Sequence, residues 1–462
     1  MLIILSVLIY VTIIVKDANR LTFDKWCEIF VSFFVYTNSI YYGLTLYEMD
    51  VVSSFAAGLR IEIWMLIIPV FFVTLSKRHQ WTLPHISWVT ILLIVLFCAI
   101  NILNPSNVNP QLTIVAIVRI LLYLAFLYIL TSSVSSQTLL RGIYKGLTYT
   151  VILQGILAFA FTIGITEVAS LFREYAYIRS DERPGAVGTF AHPNPFGAYM
   201  SMCYAFFLAC YLLGYEKRKS LIWAIASCLV LIPSFSRTAM LSVVVITVVC
   251  ISIRNTLNSS IFSVKNIFQR ILPVIILTLC IVFFTPLKNS FVGSNLDEMM
   301  IARLLHFYCG YMIFLDHPII GVGFNTHVEY MIDNFNFKEM AFADPIIIDF
   351  LYSHSIHNIF FIWLAELGLL GMIFILYFFI KRFRGIKGIL RSDDNISFKI
   401  FSFTSIGILC CFLAQGMAEP SFMGTPLREF WMFFFVISAT KHYQKDGEVK
   451  SNYSQSSYKL RF

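Results

Sequence analysis

The feature that most constrains this chain is a succession of apolar runs, each close to the length a helix needs to cross a membrane, separated by short polar loops. A span takes about 20 predominantly apolar residues, fewer where flanking side chains reach out to the interface. Candidate spans lie near 1–16, 26–46, 59–75, 86–103, 111–131, 146–164, 194–214, 219–233, 238–253, 268–285, 357–380, 399–418 and 427–440. Composition agrees: 58% of the residues are hydrophobic and only 13% are charged. A water-soluble fold of that composition would expose large apolar patches and aggregate. The expectation is an all-α, polytopic membrane protein of about 12–13 transmembrane helices. Its opening run, MLIILSVLIYVTIIVKD, reads as a retained span, without a basic n-region or a small-residue cleavage site.

The loops give an orientation. Lys77 and Arg78, Lys217 to Lys219, the group Arg254, Lys265 and Arg270, and the cluster Lys381, Arg382, Arg384, Lys387 and Arg391 alternate consistently with the spans. With the tail carrying Lys441, Lys445, Lys450 and Lys459, they fall on one side, the cytoplasmic side by the positive-inside rule. The opposite side receives residues 165–193, the turn at 234–237 and the long segment 287–356. That segment holds eight acidic residues against three Lys or Arg, the reverse of the basic loops. The expected organisation is therefore N-terminal helices over 1–165, helices with outer arginine motifs over 166–286, an extracytoplasmic loop over 287–356, C-terminal helices over 357–440 and a cytoplasmic tail over 441–462. Long connections in a tight fold are usually functional. Within this one, 301–318 reads as an amphipathic helix with Arg303, His306 and Gly310 on one face, lying in the outer interface as the roof of a cavity.

The net charge of +8 does not indicate nucleic-acid binding, because the basic residues sit in small clusters at span ends and form no continuous face. The ten cysteines lie almost entirely inside apolar runs and show no CxxC spacing, so neither a disulfide framework nor a zinc site is indicated.

The unusual polar residues converge on the outer side. RPGAVGTFAHPNPFGAYM (183–200) enters one span, SFSRTAM (234–240) turns between two, Arg303 sits on the roofing helix, and SHSIHNIFFIWLAELGLLG (353–371) starts another span with His357 and Asn358 in its first turn. Arg183, Arg237, Arg303 and His357 beside a membrane point to an anionic, lipid-linked substrate, because the planar guanidinium donates two hydrogen bonds at once to a phosphate. Each has a plainer role open to it: headgroup anchoring for Arg237, a solvated loop charge for Arg183, helix capping for His357. His354 is a candidate supporting partner. A metal shared by His354 and His357 lacks a third ligand at a recognisable spacing, so no cofactor is expected. GVGF (321–324) is a lone GxG without the context of a nucleotide site. Arg119 falls mid-span, where it needs either a partner, with Glu62 and Arg60 as candidates, or a place in a substrate cavity.

The order RPGxxGTFxHPNPFG, SxSRTA, R…DHPIIGVGFN and HNx9GxxG resembles the O-antigen polymerase and O-antigen ligase family, well over 183–371 and by hydropathy alone before that. The resemblance implies an integral-membrane glycosyltransferase of GT-C-like architecture in the bacterial cytoplasmic membrane, its site facing outward. It implies transfer of a glycan from an undecaprenyl-pyrophosphate-linked oligosaccharide to an acceptor sugar, with a flippase and a chain-length regulator as partners beside the membrane lipids. By the same resemblance Arg183 and Arg237 match pyrophosphate-binding arginines and His357 matches the proposed base of the ligases. The expected function is polymerisation of repeat units of a surface polysaccharide. Ligation of finished polymer to lipid A core is the near alternative. A lipid-linked oligosaccharide transporter is the alternative of another class; against it, the polar residues gather on one face and form no track across the bilayer.

Overall fold

The computed structural model describes residues 21–40, 43–48, 58–77, 88–165, 185–190, 192–257, 296–341, 344–392, 395–417, 419–420 and 427–438. Candidate spans 1–16 and 268–285, the tail 441–462 and Arg183 lie outside them. Helices α1 (Phe23–Asn38), α2 (Ile63–Lys77), α3 (Trp88–Ile102), α4 (Pro110–Ser133) and α5 (Ser136–Thr162) come first, followed by α6 (Pro193–Leu213), α7 (Lys217–Leu231) and α8 (Arg237–Leu257). Segment 287–356 supplies α9 (Leu296–Asp316), α10 (His327–Asn334), α11 (Phe337–Met340) and α12 (Pro345–Ser353). The chain then runs through α13 (Ile359–Ser392), α14 (Ile396–Gly416) and α15 (Leu427–Ile437). Among the described residues six helices (α4, α5, α6, α8, α13 and α14) are long and apolar enough to cross a membrane. The protein is a polytopic membrane protein.

Two expectations are corrected. Hydropathy drew one span over 26–46, but the helix stops at Asn38, and Gly43–Glu48 (β1) pairs antiparallel with Gly58–Glu62 (β2). The apolar run continued because a Leu- and Tyr-bearing strand and a helix share the same hydropathy. Segment 287–356 is also more structured than a loop with one amphipathic helix, since four helices fill its described part.

Local signals explain the helix starts. Asn109 accepts the amide of Leu112 ahead of Pro110, Ser135 that of Thr138, and Asp344 those of Ile346 and Ile347 ahead of Pro345. Each cap satisfies amides that lack a partner in the first turn, and proline at the first position gives up an amide the helix does not need. Packing centres on α6 and α14, whose residues are mostly buried, with α7, α8, α5 and α15 around them. The outward faces of α3, α5, α7 and α13 expose Leu92, Phe159, Ile222, Leu229, Ile373 and Leu376, as lipid-facing helices do. On α5, Gly142 and Gly146 let α1 come so close that an added Cβ would meet Val31 at 2.7 Å and the Ser32 carbonyl at 2.6 Å. That is small-residue packing between helices, where van der Waals contact replaces the hydrophobic effect. The mid-span Arg119 ion-pairs with Glu62 of β2, both buried.

Helix α13 is broken. Gly368 has φ 59° and ψ −164°, outside any helix. A break exposes main-chain groups that lipid cannot satisfy. The segment 318–323 satisfies them: Leu369 and Leu370 donate to the carbonyls of Pro318 and Ile319, while Val322 and Gly323 donate to those of Ala365 and Glu366. The GVG and ELG motifs therefore meet backbone to backbone. From the other side the strap is held by α3, α4 and their connection: Asn104 donates to the Gly321 carbonyl, Asn101 accepts from the Phe324 amide, and Thr113 donates to the Phe324 carbonyl.

Candidate functional site

Three helices begin at the end of the molecule that carries α9 to α12, and each beginning is built by residues of the quoted motifs. His192 Nδ1 accepts the Asn194 amide and Pro193 opens α6. Gly197 lies so close to α8 that a Cβ would meet those of Ala239 and Ser236 at 2.8 and 3.0 Å. Before α8 a short 3-10 turn, Ile232–Ser234, leads to Phe235 at φ 51°, and Ser234 Oγ accepts the Ser236 amide, which leaves Arg237 as the first residue of the helix with an exposed side chain. Ala186 donates to the Pro233 carbonyl at 2.8 Å, so the chain just beyond Arg183 rests on this turn. The third start is α13, where Asn358 Oδ1 accepts the amides of Phe360 and Phe361. Asn358, not His357, is the cap, and the helix begins at Ile359.

Met417 and Glu419 tie the starts of α6 and α13 to α9. Asn358 donates to the Met417 carbonyl at 3.1 Å, Asn194 donates to Glu419 at 2.7 Å, and Arg303 of α9 stands 3.6 Å from the same carboxylate. Arg303 remains about two-fifths exposed, so its charge stays available. Each helix N-terminus contributes about half a positive charge from its unpaired amides. Three of them with Arg237 and Arg303 make a local cluster of positive charge around Glu419, beside a segment, 287–356, whose overall charge is acidic. Helix N-termini and guanidinium groups are chemically suited to anions.

Beneath α9 lies a stack of rings. His306 and His357 stack at 5.8 Å with an interplanar angle of 9°, and Phe350 touches both. His354 lies on Phe350 at 4.4 Å and 5.9 Å from His357. His354 caps α12 in an extended conformation, so ring stacking and not a shared helical face brings it to His357. The anticipated polar face of α9 is real: Arg303 meets Glu419, His306 meets His357, and Gly310 approaches Ile356 and Phe361 closely. Its other face, with Leu304, Tyr308 and Leu315, is exposed.

The protonation of His357 follows from its contacts. Nδ1 lies 2.9 Å from the Ser355 carbonyl, which can only accept, so Nδ1 carries the proton and Nε2 the lone pair. Burial, then the positive charge of Arg303 and the neighbouring His306 and His354, push its pKa down to about 3. His306 is likewise held at about 3, first by burial. Both rings are neutral near neutral pH.

Sequence reasoning missed two acidic residues. Glu419 gave no pattern signal. Glu366 did: it is a carboxylate inside the apolar run 357–380, and ionisable residues inside spans are rarely neutral passengers. It is fully buried against His327.

Residues 203–376 match a family model described as O-antigen ligase. This stretch is similar to O-antigen ligases. The matched stretch runs from within α6 into α13 and so contains Arg237, Arg303, His306, His327, His357 and Glu366, while the 183–200 motif and Glu419 lie largely or wholly beyond its ends. The match agrees with the resemblance of the motifs to the O-antigen polymerase and ligase family. No curated protein matches the chain at a significant level.

Proposed function

We propose that the protein polymerises lipid-pyrophosphate-linked oligosaccharide repeat units of a surface polysaccharide at the outer face of the bacterial cytoplasmic membrane. The observation that carries this reading is the Arg303 guanidinium beside the neutral imidazole of His357, with Arg237 opening α8. The donor pyrophosphate sits against Arg237, Arg303 and, from the adjoining loop, Arg183. Guanidinium groups and helix amides stabilise the charge that gathers on the pyrophosphate as the bond to the anomeric carbon breaks. The acceptor hydroxyl oxygen attacks that carbon, its proton passes to His357 Nε2, and the carrier pyrophosphate leaves with the bonding electrons. Burial and the charge of Arg303 make His357 a weak base on its own. An arriving pyrophosphate offsets the charge of Arg303 and raises the proton affinity of His357, so the base strengthens when the donor is bound. The basic residues Lys217 to Lys219 and Lys381 to Arg391, at helix ends away from the starts of α6 and α13, support an outward direction.

Ligation to an acceptor lipid uses the same donor chemistry, and the description of the matched domain favours it as the second reading. The test is reconstitution of the purified protein in liposomes with lipid-linked repeat units, with and without a lipid A core acceptor. Polymer growing on the carrier without the acceptor supports the polymerase. Product only on the core acceptor supports the ligase. Movement of donor between leaflets without any new glycosidic bond overturns both.

A further inference from the structure

Glu366, His327 and Ser355 form a buried polar chain that the mechanism above does not use. The carboxylate of Glu366 stands two residues before the break in α13, its Oε1 2.5 Å from His327 Nδ1. His327 opens α10, directly after the strap, and its Nε2 lies 2.7 Å from Ser355 Oγ. All three residues are buried. The second carboxylate oxygen, Oε2, has no hydrogen-bond partner among the described residues, so the bond to His327 holds this group in the apolar interior. A carboxylate buried at this depth is costly and is retained where it serves a purpose.

The spacing is that of a hydroxyl, imidazole and carboxylate triad, in which the acid fixes the orientation and tautomer of the ring. Here the hydroxyl is buried, and the chain leads on from it. Ser355 occupies the extended stretch between α12 and α13, and its main-chain oxygen accepts from His357 Nδ1. Pinning the Ser355 side chain fixes that residue, and with it the carbonyl that keeps the proton of His357 on Nδ1.

We propose that Glu366, His327 and Ser355 are positioning residues for His357, holding the 355–357 turn so that Nε2 is presented as the proton acceptor. This rests on the reading of His357 as the base. Orienting partners behind a functional histidine typically contribute about 10- to 100-fold when removed.

The test uses the full-length protein in nanodiscs with 15N-labelled histidine, the His357 signals being assigned by their loss in His357→Gln. The wild type should show one tautomer, Nδ1–H. Ser355→Ala and Glu366→Gln should each give mixed tautomers at His357 and roughly 10- to 100-fold lower turnover. Binding of undecaprenyl pyrophosphate, which the arginines govern, should stay within about twofold, since neither variant touches those groups. If Glu366→Gln fails to accumulate, Ser355→Ala, which removes one hydroxyl, decides alone. A single Nδ1–H tautomer persisting in the variants overturns the proposal. Mixed tautomers in a protein that does not bind undecaprenyl pyrophosphate would uphold the positioning role and sink the functional reading instead.

Discussion

Replacing Gly368 by alanine tests whether the break in α13 is imposed by the strap or merely tolerated. At φ 59°, ψ −164° the residue occupies a region populated essentially by glycine, and a side chain there costs on the order of 1–3 kcal/mol. The new Cβ would also meet the Ile319 carbonyl carbon and oxygen at 2.6 Å and the Gly321 nitrogen at 2.7 Å. These are main-chain atoms, so no rotamer change relieves the contact and the strap must move away. Four main-chain hydrogen bonds join the two segments, each worth about 0.5–1.5 kcal/mol net. Losing half or all of them adds about 1–6 kcal/mol, for a total of roughly 2–9 kcal/mol. Gly385→Ala is the control in the same helix: a Cβ there meets nothing within 4 Å, and alanine should stabilise an exposed helical position by up to about 1 kcal/mol. The assay is the thermal midpoint of the purified protein in detergent. Gly368→Ala should lower it by several degrees or fail to yield monodisperse protein, and Gly385→Ala should hold or raise it. Equal midpoints for wild type and Gly368→Ala would refute the steric argument.

Four further outcomes are expected. Arg237→Lys should strongly reduce polymer formation at unchanged membrane levels, because an ammonium cannot reproduce the two-pronged contact of a guanidinium; near-normal product returns Arg237 to headgroup anchoring. His357→Ala should lower turnover about 10²–10⁴-fold and Gln should recover no more than about tenfold of it, since the capping role belongs to Asn358; wild-type rates in Gln would remove the base from the mechanism. The histidines His306 and His357, held at about 3 when folded, take up protons on unfolding below about pH 6.5, so stability should fall as pH drops from about 6.5 toward 3. The slope approaches about 1.4 kcal/mol per pH unit per histidine, and His306→Phe should flatten it; an unchanged slope would count against the burial argument. Finally, Glu62→Gln should cost about 3–5 kcal/mol by leaving Arg119 buried without its carboxylate, and Glu62→Gln combined with Arg119→Met should recover much of that; no recovery in the double variant would show that the pair is not what the two residues contribute.

The parts of the fold that depend on summed hydropathy were legible in the sequence, because crossing a bilayer requires so many apolar residues that single exceptions do not mask the signal. The mid-span Arg119 and its partner Glu62 were legible for the converse reason: a charge in that setting needs a countercharge. The polar face of α9 followed from helical spacing. The β1–β2 hairpin was not legible, since strand pairing is decided by a partner and the residues of β1 are as apolar as a helix end. The break in α13 also escaped. A glycine inside an apolar run is compatible with an unbroken membrane helix, and what breaks it is a segment some 45 residues earlier in the chain, joined through main-chain groups that carry no sequence signature. Within the candidate site Arg237 opens α8, Arg303 lies on α9, and Asn358, not His357, caps α13. His327 escaped notice because an isolated histidine on a short helix has no pattern until its carboxylate partner is known.

The strap divides the labour within segment 296–353. Residues 318–324 are held on one side by the broken helix and on the other by Asn101, Asn104 and Thr113. His317 is held too, between Ser106 and Tyr330. A membrane helix cannot stay broken without main-chain partners, so this stretch is as much part of the transmembrane frame as α13 itself. Beyond Thr326 the constraints change character. Helices α10 to α12 attach mainly through side chains, through His327 on the inner face and the ring stack on Phe350. Side-chain contacts can be exchanged without unsatisfying a backbone group, whereas the strap cannot shift without doing so. Adaptation to different sugars should therefore fall in residues 328–353, with 317–324 kept fixed. Exchanging 328–353 between relatives with different repeat units should alter acceptor choice while the midpoint of unfolding stays near that of the parent. A comparable exchange of 317–324 should instead abolish folding, and a folded, active chimera of that kind would overturn this division.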